Sequence, residues 1–350
     1  EELGCGGFST VHEVKSFIHN DKRNQRIKRN HREARDRMTQ ATQDDHHYAI
    51  KFLKKELLDD ADRFDAAAQD LELEAHILSR LNHDHILKIR GWAANGFDAY
   101  FDLARHDAYF ILMDRLDKTL TKRISEWKDL ANMATKKDDT TNKVLRKRML
   151  YEKLKIARDI ASALEYLHEQ GYIFRDLKPD NVGLDSRGRG KLFDFGLARK
   201  LPEGHNVDDQ FEMSGRVGTR RYMAPEVCQS KPYNTKADVY SFSHVLWQML
   251  SLEKPYAGFN RSTHERNTVE KGIRPAIDAS WPLGIQKLLS RSWQQDMSER
   301  PTMKEVRTIL ESELASLKGK RRRGHKTKKG SKSPSMKRQT KGEIFTPRAA

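Results

Sequence analysis

Asp176, Lys178, Asn181 and Asp194 fall within 19 residues of one another in the stretch YIFRDLKPDNVGLDSRGRGKLFDFG, Tyr172–Gly196. The gap from Asp176 to Asn181 is too short for a regular element, and Pro179 breaks any helix there. An ordered loop therefore carries an acid, an ammonium and an amide side by side. That set suits phosphoryl transfer. A carboxylate orients the attacking hydroxyl, a cation offsets charge on the moving phosphoryl group, and an Asn with a second Asp offers hard oxygen ligands to Mg²⁺. Taken singly, each residue reads equally well as part of a charged surface loop between a helix and a hairpin. Their order is what points to chemistry.

The strings R-D-L-K-x-x-N and D-F-G resemble the catalytic and metal-binding loops of eukaryotic protein kinases. The resemblance runs from residue 3 to residue 317. It implies an α+β, bilobal protein kinase fold, with a small antiparallel β lobe carrying one regulatory helix and a large, mainly helical lobe. The implied division is 1–113 for the small lobe, 114–117 for the hinge and 118–317 for the large lobe. ATP and Mg²⁺ would sit between them. By the same resemblance Asp176 is the catalytic base, Lys178 stabilises the phosphoryl group in flight, and Asn181 and Asp194 hold the metal.

The elements that must position these groups can be followed along the chain. LGCGGFSTVHEV, Leu3–Val14, reads as strand, glycine turn, strand, although any tight hairpin can look this way. It resembles the kinase nucleotide loop with Ser9 at the third glycine. Leu3, Gly4, Cys5, Gly6, Gly7, Phe8 and Ser9 would then cover the phosphates, with Val11 against the base. The chain starts at Glu1 almost on that turn, so it reads as a piece of a longer product with most of the preceding strand missing. Lys15–His47 is polar and basic, without Pro or Gly, and reads as an insertion between the second and third strands. Tyr48–Lys51 restores a buried-strand pattern. Ala49 and Lys51 match the strand that carries the phosphate-binding lysine, a residue whose bland alternative is a snorkelling strand end. Ala66–Leu81 has helical periodicity, with Glu74 matching the lysine's partner and Glu72 as the alternative. Met113 is the expected gatekeeper, and the backbone of Asp114 and Leu116 would meet adenine.

Farther on, Lys128–Lys147 is polar and looks like a second insertion, and Met149–His168 is strongly helical. Phe174 stands where kinases carry His or Tyr and is expected to pack beneath Phe195. Residues 197–222, up to Ala224-Pro225-Glu226, match the activation segment. Within it Thr219 matches the threonine beside the catalytic Asp, and Ser214 is a candidate phosphorylation site for an upstream kinase, with Arg175 as its counter-charge. Asp238 is expected to cap the catalytic loop from below, and Arg300 to pair with buried Glu226.

D-L-K-P-D-N resembles serine/threonine kinases, and DVYSFSHVLWQML (Asp238–Leu250) with SWQQDMSERPT (Ser292–Thr302) looks like the tyrosine-kinase-like branch. A dual-specificity or tyrosine kinase is the alternative enzyme, and a pseudokinase scaffold is the alternative from another class. Net charge is +16, but it is uneven. Lys318–Ala350 carries 13 Lys and Arg against Glu343 alone, Lys15–His47 carries nine against five acids, and the remainder is balanced. A fold built mainly to grip nucleic acid is thereby disfavoured. The tail from residue 318 to 350 is expected to be disordered, with Lys318–Lys329 able to contact a polyanion or an import receptor. Cys5 and Cys228 make no disulfide framework, and no apolar run is long enough to span a membrane. A cytoplasmic or nuclear location and protein substrates are the expectation. Oligomeric state carries no sequence signal.

Overall fold

The alternation around the first glycine turn does produce a hairpin. In the computed structural model, which describes residues 1–16, 47–93, 98, 100, 105–134, 139–204, 206 and 208–326, β1 (Glu2–Cys5) runs antiparallel to β2 (Ser9–Val14). β3 (Tyr48–Leu53), β4 (Ile89–Trp92) and β5 (Phe110–Asp114) complete a five-stranded antiparallel sheet in the order β1-β2-β3-β5-β4. The expected strand before the glycine turn forms over four residues, closed by a 2.8 Å bond from Glu13 N–H to Glu1 O. Backbone pairing holds it, so its exposed residues need no apolar pattern. Residues 17–46, almost all of the expected first insertion, lie outside the described residues.

One helix crosses this sheet. α1 (Ala61–Arg80) starts at Asp60, whose side chain accepts the Arg63 N–H at 3.1 Å, an N-cap that the periodicity from Ala66 onward did not reveal. It buries Ala67, Ala68, Leu71 and Ala75 in one cluster with Ala49, Leu53, Tyr109, Ile111 and Met113, and Ile77 and Leu78 are buried as well. Glu74 lies on that same apolar face, and a carboxylate there needs a partner of opposite charge.

The larger lobe is built from β6 (Lys118–Thr119), α2 (Leu120–Ala134), α3 (Asp139–Glu169), β7 (Tyr172–Ile173), β8 (Val182–Leu184), β9 (Gly190–Leu192), β10 (Arg199–Lys200), α4 (Pro225–Cys228), α5 (Lys236–Ser251), α6 (Arg261–His264), α7 (Leu283–Ser292) and α8 (Met303–Lys326). Two small sheets, β6-β8-β9 and β10-β7, frame the catalytic loop. The stretch expected as an insertion, 128–147, is helical over its described part. Residues 128–134 finish α2 and 139–147 begin α3, ahead of the expected start at Met149. A polar stretch stays helical when it extends helices already nucleated by packed turns such as that of fully buried Trp127. The chain forms one unit over Glu1–Leu314, and in the second unit Ala315–Lys326 is helical, where disorder was expected from Lys318. Lys and Arg are good helix formers, and no proline intervenes. Residues 327–350, the rest of the expected disordered tail, lie outside the described residues.

The core of this lobe is α5, buried nearly all round. Ser243 is fully buried and donates its hydroxyl to Tyr240 O at 2.6 Å. Glu226 and Arg300 form the expected buried pair, with two bonds of 2.6 and 2.9 Å. Arg300 also donates to Gln294 O and stacks 5.0 Å above the Tyr240 ring. Removing one partner strands a charge in apolar surroundings. Arg300→Ala is therefore expected to cost on the order of 3–5 kcal/mol, read by chemical denaturation.

Lys153 gives a pH signature. It is buried beside Trp127 with a single 3.3 Å bond to Leu250 O, and burial pulls its ammonium down to about 8 from 10.5. Between those two values the unfolded chain binds more protons than the folded one, so stability rises with pH across that window. Lys153→Met should raise the melting temperature at pH 7, and the gain should shrink steadily toward pH 10.5. A gain that is independent of pH would rule out titration of this group as the cause.

Candidate active site

The loop from Phe174 to Asn181 is held from beneath by one carboxylate. Asp238, in the first turn of α5 and fully buried, accepts the N–H of Phe174 and the N–H of Arg175, each at 2.9 Å. His168 Nε2, at the end of α3, lies 2.9 Å from the same carboxylate. Arg175 sits at φ 69°, the left-handed region that a non-glycine residue enters only under constraint. The two bonds to Asp238 supply that constraint. The turn sets the direction of the next residue, Asp176, whose carboxylate meets Lys178, Asn181 and Thr219.

Asp176 is 8% exposed and receives four hydrogen bonds. Lys178 Nζ donates to its Oδ2 at 2.6 Å, and Asn181 Nδ2 donates to the same oxygen at 3.0 Å. Thr219 donates its N–H (2.8 Å) and its hydroxyl (2.9 Å) to Oδ1. The acid, ammonium and amide of the sequence are thus brought together, and the expected threonine joins them from 43 residues away. Asn181 also donates to Asp176 O at 2.9 Å, which fixes the amide so that its oxygen end is the acceptor.

Asp194 follows β9 at φ 66°, the second strained position of the site. Its carboxylate is 46% exposed and lies 3.5 Å from Lys51 Nζ. Among the described residues no three His, Cys, Asp or Glu side chains gather as a metal cluster. Asn181 and Asp194 would supply only two hard oxygens. That matches Mg²⁺, which takes one or two protein ligands and completes its shell with water and phosphate. Phe195, next to Asp194, is fully buried and packs edge-on against Phe174 with ring centroids 5.1 Å apart, as expected.

Lys51 on β3 donates to Glu74 Oε2 at 2.5 Å, so Glu74 and not Glu72 is its partner. Burial pulls the Lys51 ammonium down, but the carboxylates of Glu74 and Asp194 outweigh it and raise it well above its usual range. The lysine stays charged. Ala49 and Met113 pair across β3 and β5 and are buried, and Val11 and Leu116 pack partly buried against the same cluster. Leu116 lies over Gly183, where an added Cβ would come within 2.2 Å of Leu116 Cδ1. The Asp114 N–H is spent on Lys88 O, so of the two backbone groups on that residue the N–H is not the one to meet a base. In the glycine turn Leu3, Cys5 and Phe8 are exposed, and Gly6 N–H bonds to Ser9 O at 2.8 Å. A Cβ on Gly4 or Gly7 would touch nothing among the described residues.

Ser214 and Arg175 meet as expected, with Arg175 Nη1 donating to Ser214 Oγ at 2.9 Å. Two residues of this region escaped the sequence reading. Tyr233 Oη accepts from Arg175 Nη1 at 3.1 Å and donates to Ser214 O at 2.9 Å, tying segment to loop. Gly218, at φ 88°, has no room for a side chain, because a Cβ would come within 2.5 Å of Arg175 O and 3.2 Å of Asp176 Oδ1. Gly218 had a local signal in its place before Thr219, whereas Tyr233 had none.

The sequence profile described as the protein kinase domain matches residues 36–309. Serine/threonine-protein kinase STY17 of Arabidopsis thaliana is 38% identical over 157 residues, 45% of this chain and 26% of that protein. Serine/threonine/tyrosine-protein kinase HT1 of the same plant is 37% identical over 158 residues, 45% of this chain and 39% of its own length. Serine/threonine-protein kinase mos of Patiria pectinifera is 36% identical over 162 residues, 45% of each. The chain spans less than half the length of these relatives.

Gly218→Ala tests the geometry. Forcing a Cβ against Arg175 O displaces Thr219 from Asp176, and turnover should fall on the order of a hundredfold. The strain of alanine at φ 88° should also lower the melting temperature, so turnover is compared at a temperature where both proteins are folded. Equal turnover in the variant would show that the contact at Asp176 is dispensable.

Proposed function

The chain belongs to the protein kinase family, and from that premise we propose that it transfers the γ-phosphoryl group of ATP to serine and threonine hydroxyls of protein substrates. The observation that carries this reading is the Asp176 carboxylate, fixed between Lys178, Asn181 and Thr219. Asp176 orients the substrate hydroxyl and takes its proton at a carboxylate oxygen. Lys178, already beside that oxygen, holds positive charge where the phosphoryl group passes. Lys51, kept charged and aimed by Glu74, meets the α- and β-phosphates, under the Gly4–Ser9 turn. Mg²⁺, when bound through Asn181 and Asp194, neutralises phosphate charge during the transfer. Val11, Ala49, Met113 and Leu116 enclose the base, with backbone at Asp114 and Leu116 along its edge.

Serine/threonine preference is supported by Lys178 two residues after Asp176 and by Thr219 on the acid. The dual-specificity reading stays second, since one relative carries serine, threonine and tyrosine in its name. A scaffold without turnover is disfavoured because Lys51, Glu74, Asp176, Asn181 and Asp194 are all present and in place. Ser214 is an activating site for an upstream kinase in this reading. Arg175 already touches it, and Arg175 Nη2 is buried with no hydrogen-bond partner among the described residues. The basic run Lys318–Lys329 supports contact with a polyanion or an import receptor, and with it a cytoplasmic or nuclear location. Among the described residues no helix is long and apolar enough to cross a membrane.

Transfer of label from ATP·Mg²⁺ to a generic basic protein is the test. Asp176→Ala and Lys51→Met should each lower it by a factor on the order of a hundred or more. Phosphoamino-acid analysis should show label on Ser and Thr. Label on Tyr would promote the second reading, and no transfer at all would favour the scaffold.

A further inference from the structure

Thr219 is held on Asp176 by two bonds, so the residue after it stands beside the point where an acceptor hydroxyl must meet that carboxylate. Successive Cα atoms are only about 3.8 Å apart. That next residue is Arg220, and it is exposed. Two further guanidinium groups on the same segment are partly committed. Arg221 Nη1 donates to Pro255 O, and Arg216 Nε donates to Cys228 O at 3.3 Å. Arg220 makes no such bond among the described residues, and no described carboxylate lies within ion-pair distance of any of the three. Lys178 is taken up by Asp176.

The field of this cluster is felt inside the lobe. His264 is buried, and burial, with Arg220, Arg221 and Arg274 next, holds its ring down at about 4. Glu265 opposes them without reversing the effect. An exposed arginine is most often a solvated charge. Here the position beside the acceptor, the missing counter-charge and the net positive surroundings coincide.

We propose that Arg220, supported by Arg216, selects protein substrates that carry an anionic side chain, carboxylate or phosphate, within two residues of the acceptor hydroxyl. The guanidinium fork suits both anions, and the bond strengthens as the seated peptide excludes water. This inference rests on the phosphotransfer reading and deepens it by naming a substrate class.

The experiment uses peptides of one length with Asp, phosphoserine, Ala or Lys placed one or two residues before or after the acceptor serine. Turnover is measured on these, and binding is measured by fluorescence anisotropy on versions with alanine at the acceptor. Anionic peptides should bind and turn over about five-fold or more better than the Ala peptide, with Lys peptides worse still. Arg220→Ala should erase the order, and Arg220→Glu should reverse it in favour of Lys, which a structural role would not do. A larger gain for phosphoserine than for Asp would identify phosphate as the preferred anion, and equal gains would identify carboxylate as sufficient. No discrimination by the wild-type protein, or discrimination that survives Arg220→Ala, overturns the proposal. Binding in the expected order with no turnover on any peptide would instead sink the phosphotransfer reading and leave the anion site standing.

Discussion

The buried Asp238 carboxylate is the constraint on which the site depends. A non-glycine residue in the left-handed region costs on the order of 1–3 kcal/mol, and Arg175 occupies it at φ 69°. Two charge-assisted bonds from Phe174 and Arg175 N–H to Asp238 offset that strain, and a dry setting strengthens them. Without them the loop would relax, and Asp176 would no longer face Thr219, Lys178 and Asn181. The neutral backbone amides and His168 in turn stabilise a carboxylate that would otherwise be an expensive charge inside the lobe. Strain at the loop and burial of the acid are two halves of one arrangement.

From that anchor the remaining parts follow by contact. Arg175, once turned, reaches Ser214, Tyr233 and Leu197 O, so the catalytic loop and the segment after Asp194 share one guanidinium. Phe174 supports Phe195 from below, and Asp194 beside it reaches toward Lys51. Lys51 joins α1 to the sheet through Glu74, which makes the position of a whole helix sensitive to one ion pair. The segment between α1 and β4 is fixed to the larger lobe by Leu87 N–H to Leu192 O and Leu192 N–H to His85 O, both 2.9 Å. A shift at any of these joints would be felt at Asp176, because packed elements have few ways to absorb it.

Much of this was legible before any coordinates. The short spacing Asp176–Asn181 and the proline that breaks a helix were read from the residues, and the Phe174–Phe195 stack, the Glu226–Arg300 pair and the cap at Asp238 appear where the kinase resemblance put them. What the pattern did not show has a common cause. The polar ends of α2 and α3 and the start of the tail helix carry little amphipathic signal. Each continues an element already formed. Periodicity detects elements that bury a face and misses those that merely continue one.

By itself the sequence determined the inventory: which acids, amides and cations exist, in what order, and which of them share a loop. Residue types and local spacing are properties of the chain, and the phosphoryl-transfer set is local. The tertiary structure alone decided which of Glu72 and Glu74 meets Lys51, that Tyr233 joins Ser214 to Arg175, and that Gly218 must be bare. Those outcomes depend on side chains and backbone groups brought together from distant positions. No local pattern encodes a contact made across the fold.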